Sequence, residues 1–308
     1  MGAIVSICVS NLAQVRKITR NAIGCYCCAG YQQIFARKKP PDLRAPGRRR
    51  SRESIVTVEA SILTTGSLTQ KTALAQRFSL FAGVPPSDCA SILSVAREKT
   101  YARRQTIFAE GDPVRQILML LSGCVKLMQI GQDGSEVILR LACPGEVVGA
   151  LALCSDIGHC ATAQAMESSV ALVWERASFD GALERFPVFR RNLLRVMESR
   201  LHEMDQRFRE ISTQKVAPRL SSQLVRLLRQ VGKHVNGHVE ITLSQAELAQ
   251  LTGTTLFTVS RLLSEWKLQG IVHVGRESVL VRDLPALVAM SQGELGQEPA
   301  TFRTGVSA

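Results

Sequence analysis

Leu243-Ser244-Gln245-Ala246-Glu247-Leu248-Ala249-Gln250-Leu251-Thr252-Gly253-Thr254-Thr255-Leu256-Phe257-Thr258-Val259-Ser260-Arg261-Leu262-Leu263-Ser264 is the stretch that decides how this chain folds. Ser244 with Glu247 three residues on forms a capping box, in which each side chain satisfies a free backbone N–H at a helix start. Thr252-Gly253-Thr254 closes that helix, because glycine tolerates the left-handed conformation a helix C-terminus often needs. A second helix starts near Thr255. Val259, Leu262, Leu263 and Trp266 recur on it at i, i+3, i+4 and i+7, the spacing of a buried face. The opposite face carries Phe257, Arg261 and Ser264, flanked by Thr254, Thr258 and Ser260. Such a face suits a major groove. An arginine there bonds guanine O6 and N7 in bidentate fashion, and an apolar group touches the thymine methyl. Threonine hydroxyls near the helix N-terminus reach phosphates. Together with Gln245 and Thr255, these residues form the predicted DNA-contacting set. The competing reading is a small α/β packing module with no nucleic-acid role.

The flanks agree with two helices and a turn. Ile271-Val272-His273-Val274, then Gly275-Arg276-Glu277, then Ser278-Val279-Leu280-Val281 reads as a β-hairpin, which makes the unit a winged helix-turn-helix. Upstream lie a strand at Val239–Leu243 and an amphipathic helix at Arg219–Val231. Before them a long helix is predicted over Val188–Thr213. Its Leu194, Met197, Leu201, Met204, Phe208 and Ile211 follow steps of three and four, a heptad seam. Arg200, Glu203, Arg207 and Glu210 are among the charged residues between them and are expected in water. A stripe this narrow predicts a homodimer interface, against the alternative of a surface helix packed on its own domain.

Between Thr106 and Val173 the pattern turns to short strands: Ile107-Phe108, Ile117–Leu121, Val125–Ile130, Val137–Leu141 and Val170–Trp174. Gly111, Gly123, Gly134 and Gly145 punctuate them, as in an antiparallel sandwich or barrel. Arg77–Arg104 reads as short helices, with Pro85-Pro86-Ser87 opening the second. The expected fold class is therefore α+β: an antiparallel, jelly-roll-like β-roll sensor domain over 71–187, a long dimerisation helix over 188–213, and a C-terminal winged helix-turn-helix over 214–290. Residues 1–70 read as a basic, disordered extension, either a DNA-contacting arm or the product of a misplaced start, and 291–308 as a flexible tail.

Composition bounds the function. The chain has 308 residues, 45% of them hydrophobic, and a net charge of +12. Residues 1–70 hold 11 basic against 3 acidic side chains, a net of +8, so the remainder carries only +4. A basic balance favours polyanions. There is no apolar run of 18 residues to span a membrane, and no secretory leader pattern. Met1-Gly2 with Ser6 fits the loose myristoylation pattern, which nothing else supports. Nine cysteines, an odd number in a long chain, point to reduced thiols and a cytoplasmic location. No nucleophile–base pair, Walker-type phosphate loop or zinc-ligand spacing is present, so no catalysis and no metal site are predicted.

Glu110-Gly111-Asp112-Pro113, Leu121–Lys126, Asp133-Gly134-Ser135-Glu136 and Pro144-Gly145-Glu146-Val147-Val148-Gly149, followed by Leu251-Thr252-Gly253 and Thr258–Leu263, resemble the CRP/FNR family of bacterial transcription regulators, in the same order, from about Phe81 to Leu287. The resemblance implies a homodimer, a small-ligand or redox sensor in the β-roll, binding to double-stranded promoter DNA at an inverted repeat, and contact with RNA polymerase. It places the effector pocket at Gly145, Glu146 and Val147 with His159, Cys160 and Ala161. The cyclic-AMP-binding members carry an Arg-Ser pair before an alanine, where this chain reads Gly158-His159-Cys160-Ala161. The arginine that holds the cyclic phosphate is absent, which argues against a cyclic nucleotide although Glu146 is kept. Cys25, Cys27 and Cys28 are too crowded for the iron–sulfur pattern, since a [4Fe–4S] cluster needs four spaced thiolates. Haem, with His159 or a nearby cysteine as axial ligand, stays open. Many relatives carry glutamate where Phe257 stands, so the half-site should change at one base pair. The alternative function is a cyclic-nucleotide-binding-like sensor that acts through protein contacts and carries a degenerate DNA module.

Overall fold

The computed structural model describes residues 72–73, 75–154, 158–235 and 237–292. The expectations for residues 1–70, among them the basic runs and Cys8, Cys25, Cys27 and Cys28, lie outside the described residues, as does the tail beyond 292.

Eight strands make the N-terminal half: β1 (Arg97–Tyr101), β2 (Thr106–Phe108), β3 (Gln116–Ser122), β4 (Val125–Ile130), β5 (Glu136–Ala142), β6 (Val147–Val148), β7 (Thr162–Ala165) and β8 (Ser169–Glu175). They form two four-stranded sheets, ordered β1-β8-β3-β6 and β2-β7-β4-β5, with every pairing antiparallel. Between the sheets lies a core of small and branched side chains, including Leu118, Leu120, Val125, Ala163, Ala171 and Val173. Gly123 makes the β3–β4 corner with φ +85°. A Cβ there would sit 2.2 Å from Ser169 Oγ and 2.7 Å from the Ser168 carbonyl oxygen, so only glycine fits.

A second core lies against the first sheet. It is closed by α1 (Pro86–Ser94), α2 (Arg176–Arg185) and the first turns of α3 (Pro187–Thr213). Phe179 packs edge-on against both Trp174 (centroids 5.8 Å apart) and Phe189 (5.6 Å). Trp174 donates its indole N–H to the Ile92 carbonyl at 2.9 Å, so its one polar atom is satisfied in full burial.

The C-terminal half comprises α4 (Val216–Val231), β9 (Lys233–Val235), β10 (His238–Ile241), α5 (Gln245–Thr252), α6 (Leu256–Leu268), β11 (Val272–Val274), β12 (Val279–Val281) and α7 (Leu284–Ser291), with a sheet ordered β11-β12-β10-β9. Leu220, Leu224, Val259, Leu263, Trp266 and Leu287 centre its core. That core also takes in Cys124, Met128, Ile138 and Leu141 from the outer face of β4 and β5, so the two halves share buried surface. Among the described residues no helix is long and apolar enough to cross a membrane.

Two expectations are corrected. The stretch from Arg97 to Tyr101 is an edge strand paired with β8, not the end of a helical region. Strands β6, β7 and β9 and helices α2 and α7 were not anticipated. The five expected strands, the long helix and the hairpin stand within a residue or two.

Trp174→Ala should lower the unfolding free energy by about 3–5 kcal/mol, the usual loss for truncating a fully buried tryptophan. Urea unfolding followed by circular dichroism reads it, and a loss under 1 kcal/mol would contradict the packing.

Candidate nucleic-acid interface and effector cavity

The capping box at Ser244 is formed in full: Ser244 Oγ accepts from Glu247 N–H at 3.2 Å, and the Glu247 carboxylate accepts from Ser244 N–H at 2.8 Å. Gly253 then takes φ +59°, ψ +50° and ends α5 in the left-handed conformation. Thr255 caps α6, accepting from Thr258 N–H at 3.2 Å. With both helix starts fixed, the faces of α6 separate. Val259, Leu262, Leu263 and Trp266 are buried. Phe257 is 77% exposed, one turn before the exposed Arg261. Thr255 and Ser264 are exposed, and Gln245, Thr254, Thr258 and Ser260 are half-buried. Phe257, Thr258, Ser260, Arg261 and Ser264 thus lie on the side of α6 away from its core, with Thr254 and Thr255 just before it, whereas Gln245 stands at the start of α5. An exposed phenylalanine costs free energy in water, and nothing within the described residues covers it.

The α3 stripe is bare in the same way. Leu194, Leu201, Met204, Phe208 and Ile211 are each more than half exposed. Met197 differs, since it is half-buried against the sensor core. Three of the charges expected in water are also elsewhere, Arg207 among them, which donates to the Leu139 carbonyl. Arg200 lies against Glu146 (2.6 Å), with Glu203 at 2.7 Å. Glu210 is buried and takes both guanidinium arms of Arg226, at 2.7 and 2.8 Å.

Of the predicted effector residues, Glu146 is the hub. Its carboxylate meets Arg140 at 3.0 Å as well as Arg200, and accepts from Cys143 N–H at 3.3 Å. Arg140 also donates to the Val147 carbonyl at 3.1 Å. Burial, then the neighbouring Arg200, hold the Arg140 guanidinium below its ordinary value. Burial works against the Arg200 charge too, but Glu146 and Glu203 outweigh it and raise its value. The space that Arg140, Val147 and Arg200 share with Gly149, His159, Cys160 and Ala161 is only about 20 Å³. Gly145 packs under Phe78 with φ +87°. His159 is buried and stacked on Phe108, with centroids 3.6 Å apart and planes 8° from parallel. One face of its ring is therefore covered. Cys160 is an exposed free thiol.

A larger cavity of about 270 Å³ opens beside this network, where β4, β5, α3, α4 and α5 meet. Leu127, Ile138, Met204 and Phe208 supply apolar walls, and Arg207 and Arg226 supply charge. The buried Gln223 Nε2 and Gln250 Oε1, on residues that line it, have no hydrogen-bond partner.

A cyclic nucleotide-binding domain model matches residues 98–186, and a Crp-like helix-turn-helix domain model matches residues 218–290. Over 217 residues the chain is 30% identical to the cyclic AMP receptor protein of Thermus thermophilus, an alignment that covers 70% of this chain and 97% of that protein. The chain belongs to the CRP/FNR family of transcription regulators. This CRP/FNR chain is also 28% identical, over 209 residues, to the CRP-like cAMP-activated global transcriptional regulator of Mycobacterium tuberculosis, covering 67% of this chain and 93% of that one. Among solved structures it resembles FixK2 from Bradyrhizobium japonicum, with a TM-score of 0.57 at 25% identity over 64% of this chain and 97% of that one. It is thus a CRP/FNR transcription regulator, with a β-roll of the cyclic nucleotide-binding type and a helix-turn-helix.

Sequence reasoning missed Arg140, Arg200, Glu210, Arg219 and Arg226. For Arg200 and Glu210 the one signal was spacing: 200, 203, 207 and 210 repeat the heptad one position before the apolar stripe, which places them on an adjacent face of α3.

Burial lowers the His159 value below the ordinary 6.5, against a smaller opposing pull from Asp112. Below that ordinary value the unfolded chain binds a proton that the folded one resists, so stability falls as pH drops from 6.5 through the folded value. His159→Gln should flatten this part of the acid limb. Urea midpoints on either side of the window check it, and identical pH slopes for both chains would refute it.

Proposed function

We propose that this chain works as a symmetric dimer on promoter DNA in the cytoplasm, with 71–187 as sensor, 188–213 as dimerisation helix and 214–290 as reader. The observation that carries the reading is the α6 face. Phe257 and Arg261 stand exposed on a helix whose other face is fully buried, behind a capped N-terminus that points free N–H groups outward. The fit to a major groove follows from chemistry. Arg261 reads guanine, Phe257 meets a thymine methyl, and Thr254, Thr255 and Thr258 reach phosphates. The exposed Leu201, Met204, Phe208 and Ile211 supply the seam for a second copy. Two recognition helices related by a two-fold axis address an inverted repeat with half-sites about 34–36 Å apart. RNA polymerase is the downstream partner.

The effector is a small ligand. Arg140 and Arg200, both held by Glu146, line the small space beside His159, and the 270 Å³ cavity next to it offers apolar walls, cationic groups and two buried amide atoms, Gln223 Nε2 and Gln250 Oε1, without a hydrogen-bond partner among the described residues. An amphipathic organic anion fits that lining.

The test combines light scattering with selection from random duplexes. A dimer that enriches an inverted repeat is expected. Leu201→Glu with Phe208→Glu should yield monomers that no longer bind the full site. A monomeric wild type would overturn the dimer. Salt-sensitive binding without sequence preference would instead indicate a sensor with a degenerate DNA module. Arg261→Ala should cost about 1–3 kcal/mol and relax preference at a single base pair. Equal loss on every sequence would reduce Arg261 to a phosphate contact.

A further inference from the structure

Three sulfur-bearing residues form one cross-strand row on the outer face of the second sheet, where it meets the C-terminal half. The register pairs Val125 with Ala142 on one side and with Ala165 on the other. One step along, Cys124 therefore faces Cys143 across the β5 side and Met166 across the β7 side. The Met166 N–H donates to the Cys124 carbonyl at 2.8 Å and locks that row. The Cys124 thiol lies 3.9 Å from Met166 Sδ, and the register sets Cys143 beside Cys124 on the β5 side. Both thiols are free. Cys124 and Met166 line a crevice together with Lys126, Glu167 and Leu243.

We propose that Cys124, Cys143 and Met166 form a binding site for a soft monovalent cation of the Cu(I) class. Two thiols and a thioether are the donor set that selects Cu(I) over harder ions. Metal–sulfur bonds of about 2.3 Å in a trigonal arrangement hold sulfurs about 4.0 Å apart, which is the spacing found here between Cys124 and Met166. Binding releases both thiol protons to solvent, and the site becomes a three-sulfur complex carrying one net negative charge. Arg103, Arg104, Lys126 and Lys233 line the same crevice and oppose that charge, against Glu167, Glu247 and Glu277 in the same lining. Among the described residues no three His, Cys, Asp or Glu side chains form a metal set, so the thioether decides whether this one has three donors. As a packing cluster alone, the three residues would be soft fillers of an apolar seam.

The site stands independently of DNA binding, and its test needs no promoter. The full chain is prepared with Cys8, Cys25, Cys27 and Cys28 changed to serine, which removes competing thiols outside the described residues. It is titrated with Cu(I) buffered by a chromophoric chelator, without oxygen. One bound equivalent is expected, with thiolate-to-copper charge-transfer absorbance in the ultraviolet. X-ray absorption should show two to three sulfur neighbours at about 2.3 Å. Met166→Leu keeps the volume and should weaken retention about tenfold. Cys124→Ser with Cys143→Ser should abolish it. The proposal is overturned if the four-serine chain binds no Cu(I), if the double variant binds as tightly, or if the bound ion shows only nitrogen or oxygen neighbours. X-ray absorption on the four-serine chain decides the matter even where the double variant does not fold.

Discussion

A single guanidinium holds the ends of two helices where the two halves of this protein meet. Arg219, in the first turn of α4, is buried and donates only to backbone carbonyls: Thr252 at 2.8 Å and Gly253 at 3.2 Å, at the end of α5, and Ile211 and Gln214, both at 3.4 Å, at the end of α3. The last carbonyls of a helix lack intrahelical partners and carry the negative end of its dipole. A cation placed there satisfies several of them at once, and their convergence compensates the burial of its charge. The turn of the helix-turn-helix is thereby fixed to the end of the long helix. The direction of α6, and so of Phe257 and Arg261, is set relative to α3 by one side chain.

The long helix is consequently divided lengthwise. Arg200, Arg207 and Glu210 are spent on the helix's own chain: Arg200 on Glu146, Arg207 on the Leu139 carbonyl, Glu210 on Arg226. Leu201, Met204, Phe208 and Ile211 follow them by one position and are left open. One residue is about 100° of rotation, so the ionic and apolar faces adjoin without overlapping. The ionic face orients the helix, because partly buried pairs of good geometry are specific even where their net contribution to stability is small. The apolar face is then presented in a fixed direction.

What was legible in the sequence follows the same division. The helix-turn-helix was readable because its determinants are local. Ser244 and Glu247 are three residues apart, Gly253 sits at the one position that needs positive φ, and the α6 core repeats with helical period. Strands β3, β4, β5 and β8 were readable because each has a branched or apolar face. Strand β1, Arg-Glu-Lys-Thr-Tyr, was not, because it pairs on one edge only and four of its five residues face water. Strand β7, Thr-Ala-Gln-Ala, was missed because its inward residues are alanines, which carry little strand preference but suit the close approach of the two sheets. The charge network was illegible for another reason. Glu146 and Arg200 are 54 positions apart, and only the tertiary fold shows that charges on an exposed-looking helix are paired.

That network also explains why a kept glutamate need not mean a kept ligand. Glu146 has both oxygens engaged by arginines, from β5 and from α3. A ligand entering there must offer Arg140 and Arg200 an anion at least as good as the carboxylate they already hold, and must also solvate Glu146 once displaced. A neutral ligand cannot. An anion can, but only by freeing Arg200, which lies on the same face of α3 as the Glu210–Arg226 pair three turns nearer the helix-turn-helix. Arg200 and Glu210 thus lie on one charged side of α3, and an effector could shift that side only by the difference in free energy it makes between two arrangements of it.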